Sequence, residues 1–313
     1  MLDKRERYYI RHRLVLRPKR NNGAALALLG ADNETTVFSI LKAAVNKKTA
    51  VMYLPGGDTV RITAIDYRAA DNVVILIFRR KNPNASTQVY EHADSAKIRE
   101  ADRGLKEDPA VSGHLFVQAT PHKGDLASHR AIIEEVQGLG PSYMKTLIDE
   151  VVRAIEYDAI DSRGAAIKTT TKVDIWGVPS ENLKASVAKN GFNYIEIVKE
   201  ADLDGLDTEG MTIKPERMKI VPKRIPGADN ESLLKRVKAW ADGRGWSDVY
   251  VQVRENDKTK VVKLGRDEDA ATTLFVRADP VKVATDIKAC SDTVNDELLA
   301  EALKMFADDA SWK

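Results

Sequence analysis

The sequence predicts an α+β fold of two mixed α/β domains with antiparallel sheets, divided as residues 1–160 and 161–313. Short segments in which apolar and polar residues alternate follow one another with brief turns, which is typical of antiparallel strands. Apolar residues at helical spacing mark longer segments between them. A chain of 313 residues can bury a sizeable core and is long enough for two domains. The boundary is expected in the glycine- and aspartate-containing region 158–164.

Alternation predicts most elements of the first half. The predicted strands are 8–16, 24–29, 51–54, 60–67, 73–78 and 115–119, and the predicted helices are 35–45 and the segment that follows Pro141. The run 73–78 is apolar throughout, so it is expected to be a strand buried on both faces. Residues 130–136 are compatible with a strand or a helix. The polar residues 81–110 predict loops with a short helix.

The second half mixes strands and helices in the same way. Its predicted strands are 167–176, 195–198, 248–254, 260–264 and 274–277, and its predicted helices are about 180–189, 230–241 and 296–306. The last helix carries Leu298, Leu299, Leu303 and Phe306 at helical spacing. This stripe either packs on its own domain or forms a dimer surface.

Charge is unevenly distributed along a chain whose formal net charge is only +2. Residues 1–20 hold eight Lys and Arg, whereas residues 265–313 hold six cations and eleven acids. The single cysteine, Cys290, cannot form an internal disulfide and suits a reducing cytoplasm. No apolar run approaches the ~20 residues of a membrane span, and the basic residues 1–20 lack the apolar core of a signal peptide.

The most basic stretch runs from Met211 to Trp240 and predicts one or two short strands, a turn and a helix. Its cations are Lys214, Arg217, Lys219, Lys223, Arg224, Lys235, Arg236 and Lys238. Together they would form one positive ridge suited to phosphate contacts. Arg11, Arg13 and Arg17 of the first strand are expected to assist. The alternative is the solvated face of an ordinary surface helix.

Most enzyme signatures are missing, so no catalytic residue, cofactor or metal is predicted. The sequence has no Walker A loop, no GxGxxG after a strand and no GxSxG elbow. A metal site at His114, His122 and His129 with Asp125 is one alternative, and ordinary surface or loop histidines are the other. Arg7 and His12 match the R-x4-H spacing of a ribonuclease family, but that motif belongs on a helix and this segment alternates like a strand.

A glycine-rich turn, Gly138 to Ser142, opens the helix that follows Pro141. Its backbone N–H groups and the helix dipole favour an anion. If residues 130–136 were helical, the turn would be similar to the hairpin of helix-hairpin-helix DNA binders. Otherwise it is a tight turn with Pro141 at the first helical position.

Several short matches, in the same order along the chain, resemble the RexA family of phage-exclusion DNA-binding proteins. They are Leu115-Phe116-Val117, Thr170-Thr171-Lys172-Val173, Thr212-Ile213-Lys214-Pro215 with the basic residues that follow it, and the segment from Ser247 to Arg254 followed by a hairpin and a final helix. The resemblance covers residues 110–310. It implies a two-domain dimer with a fold related to the recombination protein RdgC that binds double-stranded DNA without sequence preference. The longer N-terminal region and the more acidic end depart from the family.

The sequence therefore predicts a non-enzymatic, cytoplasmic homodimer of prophage or anti-phage defence origin that binds double-stranded DNA. Its cations would neutralise phosphates, and few aromatic residues lie among them, so base stacking is not expected to dominate. One alternative is a metal-dependent nuclease or toxin of a defence system. Another is a regulator that docks a membrane effector, as the Rex system implies.

Overall fold

The chain forms two compact units in a computed structural model. The structure describes residues 3–19, 24–31, 34–86, 89–92, 94–102, 104–123, 125–160, 164–178, 193–199, 216–222, 230–244, 246, 248–255, 258–264 and 278–312. Unit 1 comprises Met1–Ile175 together with Ala278–Lys313, and unit 2 comprises Trp176–Arg277. This division differs from the predicted one, because the end of the chain returns to unit 1.

The secondary structure is mixed α and β with mostly antiparallel sheets, as predicted. The strands are β1 (Glu6–Pro18), β2 (Val51–Tyr53), β3 (Thr59–Arg68), β4 (Val73–Lys81), β5 (Val89–Glu91), β6 (Ile98–Glu100), β7 (Ala110–His122), β8 (Asp125–Glu134), β9 (Glu156–Ile160), β10 (Ala166–Gly177), β11 (Tyr194–Lys199), β12 (Glu216–Ile220), β13 (Asp248–Glu255), β14 (Lys258–Leu264) and β15 (Ala278–Lys282). The longer helices are α1 (Val37–Asn46), α2 (Pro141–Arg153), α3 (Asn230–Asp242) and α4 (Asp296–Ala307).

Three predictions about single segments need correction, and one open alternative is decided. Residues 24–29 form no strand, because the carbonyls of Ala27 and Leu28 accept the first N–H groups of α1. Residues 130–136 continue the strand β8, and the region 81–110 contains the hairpin β5–β6 where a short helix was predicted. The glycine- and aspartate-containing region 158–164 leads from β9 into its antiparallel partner β10, so it is not a domain boundary. The predicted helix 180–189 and strand 274–277 lie outside the described residues.

A nine-stranded sheet organises unit 1. Its order is β2-β3-β4-β7-β8-β1-β10-β9, and β15 also pairs with β1. The helices α1 and α2 cover one face. Thr36 caps the N-terminus of α1: its hydroxyl accepts from the backbone N–H of Ser39, and its own backbone N–H donates to the Ser39 hydroxyl. The apolar core under these helices includes Leu14, Leu76, Phe78, Leu115, Ile133, Met144 and Leu147.

The C-terminal segment, residues 278–312, covers the opposite face of the same sheet. β15 pairs antiparallel with the first half of β1, with Arg7 opposite Val281. The hydroxyl of Tyr9 donates to the carbonyl of Leu298 in α4 at 2.7 Å. The predicted strand 73–78 is confirmed as buried on both faces, because every residue of this run is buried.

The described residues of unit 2 form a four-stranded sheet of order β12-β11-β13-β14 with α3 on one face. Its core cluster contains Ile195, Ile197, Leu234, Ala241, Trp246, Val249 and Val251. Since successive side chains of a strand point to opposite faces, the residues between these in β11 and β13 lie on the face away from α3. The predicted hairpin 248–254 with 260–264 is confirmed as β13–β14.

Candidate nucleic-acid interface

The predicted N-terminal cations bind their own chain. Arg11 is only 3% exposed, and its Nη1 lies 2.6 Å from Oδ2 of Asp279 in β15. Arg13 is half-buried and donates from Nη2 to the carbonyl of Trp312 at 2.7 Å. Burial, followed by the nearby charge of Arg130, lowers the pKa of Arg13. Arg11 and Arg13 therefore hold the C-terminal segment on the sheet, which corrects their expected role in phosphate contacts. Arg17, near the end of β1, is exposed.

Trp312 is the central side chain of this contact. It is fully buried, with the guanidinium carbons of Arg11 and Arg130 at 5.8 Å and 5.5 Å from its ring. Arg130 also donates to the carbonyl of Phe306 at 2.9 Å and lies 2.6 Å from Oδ1 of Asp309. The hydrogen bond from Arg130 holds the pKa of Asp309 below its ordinary value. Three strand arginines thus bind the end of α4 and the residues after it, where a helix favours cations.

A buried charged cluster lies on the same side of the sheet. Oε1 of Glu134 accepts from Nε of Arg7 at 2.8 Å, and Oε2 lies 2.6 Å from Nδ1 of His114. The backbone N–H of His114 donates to Oε2 of Glu134 at 3.1 Å. All three residues are at most 3% exposed, so they act as an internal crosslink between β1, β7 and β8.

The cations of the predicted ridge have different positions in unit 2. β12 places Arg217 opposite Val198 and Lys219 opposite Glu196, and both cations are exposed on the face away from α3. Arg236 is exposed on α3, which packs on the other face. The sheet therefore lies between the two cations of β12 and Arg236. Arg217 and Lys219 are two residues apart in a strand, so they share the face away from α3. The prediction of a single ridge formed by strand and helix is wrong for these three residues.

The side chains of the other predicted ridge residues lie outside the described part of the structure. Lys214, Lys223 and Arg224 lie outside the described residues, and Lys235 and Lys238 lie in α3 with side chains outside the described set. Their contacts with nucleic acid stay predictions.

Aromatic side chains accompany the exposed cations of unit 2. Nζ of Lys219 lies 3.8 Å from the ring centre of Tyr194, and the guanidinium of Arg244 lies 4.6 Å from the ring of Trp240. Tyr250 is half-buried and shares the face of Tyr194. The sequence interpretation considered only aromatic residues near the cations along the chain and missed Tyr194 and Tyr250. The alternation of residues 194–199 was the signal that could have identified the first of them.

The glycine-rich turn is a tight turn without the helix-hairpin-helix arrangement. The preceding residues form β8, and Pro141 is the first residue of α2. Gly138 has φ +82°, a left-handed conformation that favours glycine, and its carbonyl accepts from Arg80. Arg7 and His12 lie in the strand β1, whereas an R-x4-H motif would need both residues on a helix.

The three clustered histidines do not form a metal site in the described residues, where no three His, Cys, Asp or Glu side chains converge as such a site would require. The ring of His114 contacts Glu134, and Nδ1 of His129 lies 3.0 Å from the carbonyl of Gln118. Burial lowers the pKa of His129. Of the helices that the structure describes, none is both long and apolar enough to cross a membrane.

Comparison of the chain with protein-family models, with curated proteins and with solved structures gave no match.

Proposed function

We propose that the chain binds double-stranded DNA without sequence preference through unit 2. It would act as a cytoplasmic homodimer in a prophage or anti-phage defence system, without catalysis or a cofactor. The RexA-like segments of the sequence support the biological setting and the RdgC-related fold. The physical support comes from the charges that unit 2 exposes.

The observation that carries the proposal is the exposure of Arg217 and Lys219 on the strand β12. The side chain of Arg217 is 58% exposed, and Lys219 is exposed as well. Arg236 and Arg244 are exposed on and after α3. Cations in such positions can displace the counterions of DNA phosphates, which is the main source of sequence-independent affinity.

The shape of the sheet supports contacts with the DNA backbone. Four strands span roughly 14 Å between the outer strand axes, whereas the major groove of B-DNA is ~12 Å wide. A face of this width cannot enter the groove to contact base edges. Its cations would therefore meet phosphates, which position a protein on DNA but carry no sequence information.

The proposed homodimer needs a surface other than the apolar stripe of α4. Leu298, Leu299 and Phe306 are buried, and α4 packs against the sheet of its own unit. The dimer therefore rests on the RexA-like resemblance. Light scattering at micromolar concentration tests it, and a monomer would contradict this part of the proposal.

The charge reversal Arg217→Glu with Lys219→Glu tests DNA binding. We expect weaker binding to duplexes of any sequence. The slope of log affinity against log salt should shrink by ~1 for each phosphate that the variant no longer neutralises. The matched control is Lys168→Glu with Lys172→Glu, which changes the charge equally at two exposed lysines of β10 that also pair with carboxylates. Gel shifts at two salt concentrations measure both variants.

Unchanged affinity and salt slope in a normally melting Arg217/Lys219 variant would contradict the proposal. An equal loss of affinity in the control variant would show that only net charge matters. Incubation of labelled DNA and RNA with Mg²⁺ or Mn²⁺ tests the absence of catalysis. Cleavage that survives repurification and disappears in a point variant would favour the nuclease alternative.

A further inference from the structure

The two central strands of the unit 2 sheet each place a tyrosine on the face opposite α3. In the antiparallel register, Tyr194 lies opposite Gln252 and Glu196 lies opposite Tyr250. The two tyrosines are therefore diagonal neighbours, a spacing of roughly 7–8 Å. Both residues are half-buried, so neither is fully enclosed in the core of unit 2.

Two cations of the edge strand β12 share the face of these tyrosines. Lys219 lies opposite Glu196 in the register and reaches across to the Tyr194 ring, 3.8 Å from Nζ to the ring centre. Nη1 of Arg217 lies 3.2 Å from Oε1 of Glu196. The face thus combines aromatic surface, cations and the polar groups of Glu196 and Gln252 within a few residues.

We propose that this face binds single-stranded nucleic acid, with unpaired bases stacked on Tyr194 and Tyr250 and the backbone phosphates near Arg217 and Lys219. This inference rests on the proposed nucleic-acid binding and adds a second ligand for this face, a single strand whose phosphates would use the same cations as duplex phosphates. Bases of a duplex are stacked on each other, so their faces are not available to side chains of a sheet. Unpaired bases can be splayed out onto aromatic side chains of a four-stranded sheet.

Stacking fits the chemistry of this face better than recognition of base edges. Every base offers a π-face, so aromatic rings bind single strands with little sequence preference. The two rings lie on adjacent strands, which allows neighbouring nucleotides of one strand to use both. Lys219 would leave the Tyr194 ring for a phosphate when a base takes its place, so one cation–π contact would be exchanged for stacking and an ion pair.

Fluorescence anisotropy of the full chain with a labelled 12-nucleotide oligothymidylate, the matching oligouridylate and a 12-base-pair duplex tests the proposal. We expect Tyr194→Leu and Tyr250→Leu each to weaken single-strand binding about tenfold, because stacking contributes strongly per base. Duplex binding should change less than about twofold. Tyr194→Phe keeps the ring and should bind single strands like the unchanged protein.

The control variant is Tyr53→Leu, which removes an 81% exposed tyrosine from β2 in unit 1. The inference fails if the leucine variants bind single strands normally, or if they lose duplex and single-strand binding equally. If duplex binding still depends on Arg217 and Lys219 in that situation, the proposed function stands and only the stacking is wrong. If the unchanged protein binds no nucleic acid, both the function and the inference are overturned.

Photocrosslinking provides a second measurement that needs no variant. A single strand containing 5-iodouracil, irradiated with the unchanged protein, should form adducts that mass spectrometry maps to peptides containing Tyr194 or Tyr250. Adducts confined to other peptides would overturn the proposal even if a leucine variant failed to fold.

Discussion

Two sets of strand cations, on β1 in unit 1 and on β12 in unit 2, have opposite environments. Arg11 is 3% exposed and contacts Asp279 and Trp312, whereas the side chain of Arg217 is 58% exposed beside Glu196. Both strands alternate, and both sets were expected to bind phosphate. The difference shows that a basic strand is a candidate binding surface only if no other part of its own chain covers it.

The covering segment in unit 1 has the complementary charge. The C-terminal residues supply Asp279, Asp309 and the carbonyls of Phe306 and Trp312 as acceptors for the arginines of β1 and β8. The basic start and acidic end of the sequence thus contact each other within unit 1. Four tests probe this difference between the two strands, and the greatest change is expected for the most buried charges.

Glu134→Gln should destabilise unit 1 by about 3–5 kcal/mol, because the substitution leaves Arg7 buried without its counter-charge. Urea unfolding measures the change in the free energy of unfolding. Asp66→Ala is the control, since it removes an exposed ion pair with Arg68 and should cost less than ~1 kcal/mol. Equal effects of the two substitutions would show that burial does not distinguish these ion pairs.

Acidification should destabilise unit 1 more than unit 2. All five histidines lie in unit 1, and burial lowers the pKa of His12 from 6.5 to about 4. The unfolded chain therefore binds a proton between about pH 6.5 and 4 that the folded chain excludes. The destabilisation that His12 causes is therefore absent above about pH 6.5. It should reach about 3 kcal/mol as the pH approaches 4.

Urea unfolding at several pH values measures this loss of stability, and His12→Gln should flatten its pH dependence. The same substitution at the exposed His92 is the control and should leave the dependence unchanged. An equally steep dependence in the His12 variant would assign the loss to other groups. Those groups include His129, whose pKa is also lowered by burial.

Arg11→Leu and Arg217→Leu compare the two strands directly. The first should cost about 1–3 kcal/mol, because it removes the ion pair with Asp279 and the contact with Trp312. The second should stay within ~0.5 kcal/mol, as exposed substitutions usually do. Hydrogen exchange of peptides from β1 and β11 measures each unit separately. If Arg11→Leu left the exchange of β1 unchanged, the C-terminal contact would not depend on this arginine.

Glu196→Gln should have the smallest effect of the four tests. It should strengthen nucleic-acid binding, whereas the other changes weaken the fold. It removes the carboxylate that pairs with Arg217 on the tyrosine-bearing face, so nucleic-acid affinity should rise about two- to fivefold. The exposed Glu156→Gln in β9 is the control. Anisotropy titrations measure both variants, and weaker binding after Glu196→Gln would indicate that this carboxylate contacts the ligand itself.

Several local elements could be predicted from nearby residues alone. Alternation predicted β1, β3 and the hairpin β13–β14, and the apolar run 73–78 predicted a strand covered on both faces. Helical spacing with Pro141 predicted α2, and the stripe at Leu298 and Phe306 predicted α4. These patterns are decided within a few residues, because they follow from the periods of strands and helices.

Which surfaces are covered depends on long-range packing and could not be predicted from local patterns. Alternation showed that Arg11 and Arg13 share a face, but not that residues from the other end of the chain occupy it, because the pairing of Arg7 with Val281 has no local signal. The same limit applies in unit 2, where register brings Tyr194 and Tyr250 to one face and separates Arg217 from Arg236. Strand register and long-range packing depend on the summed burial of many side chains, and no short stretch of sequence contains that sum.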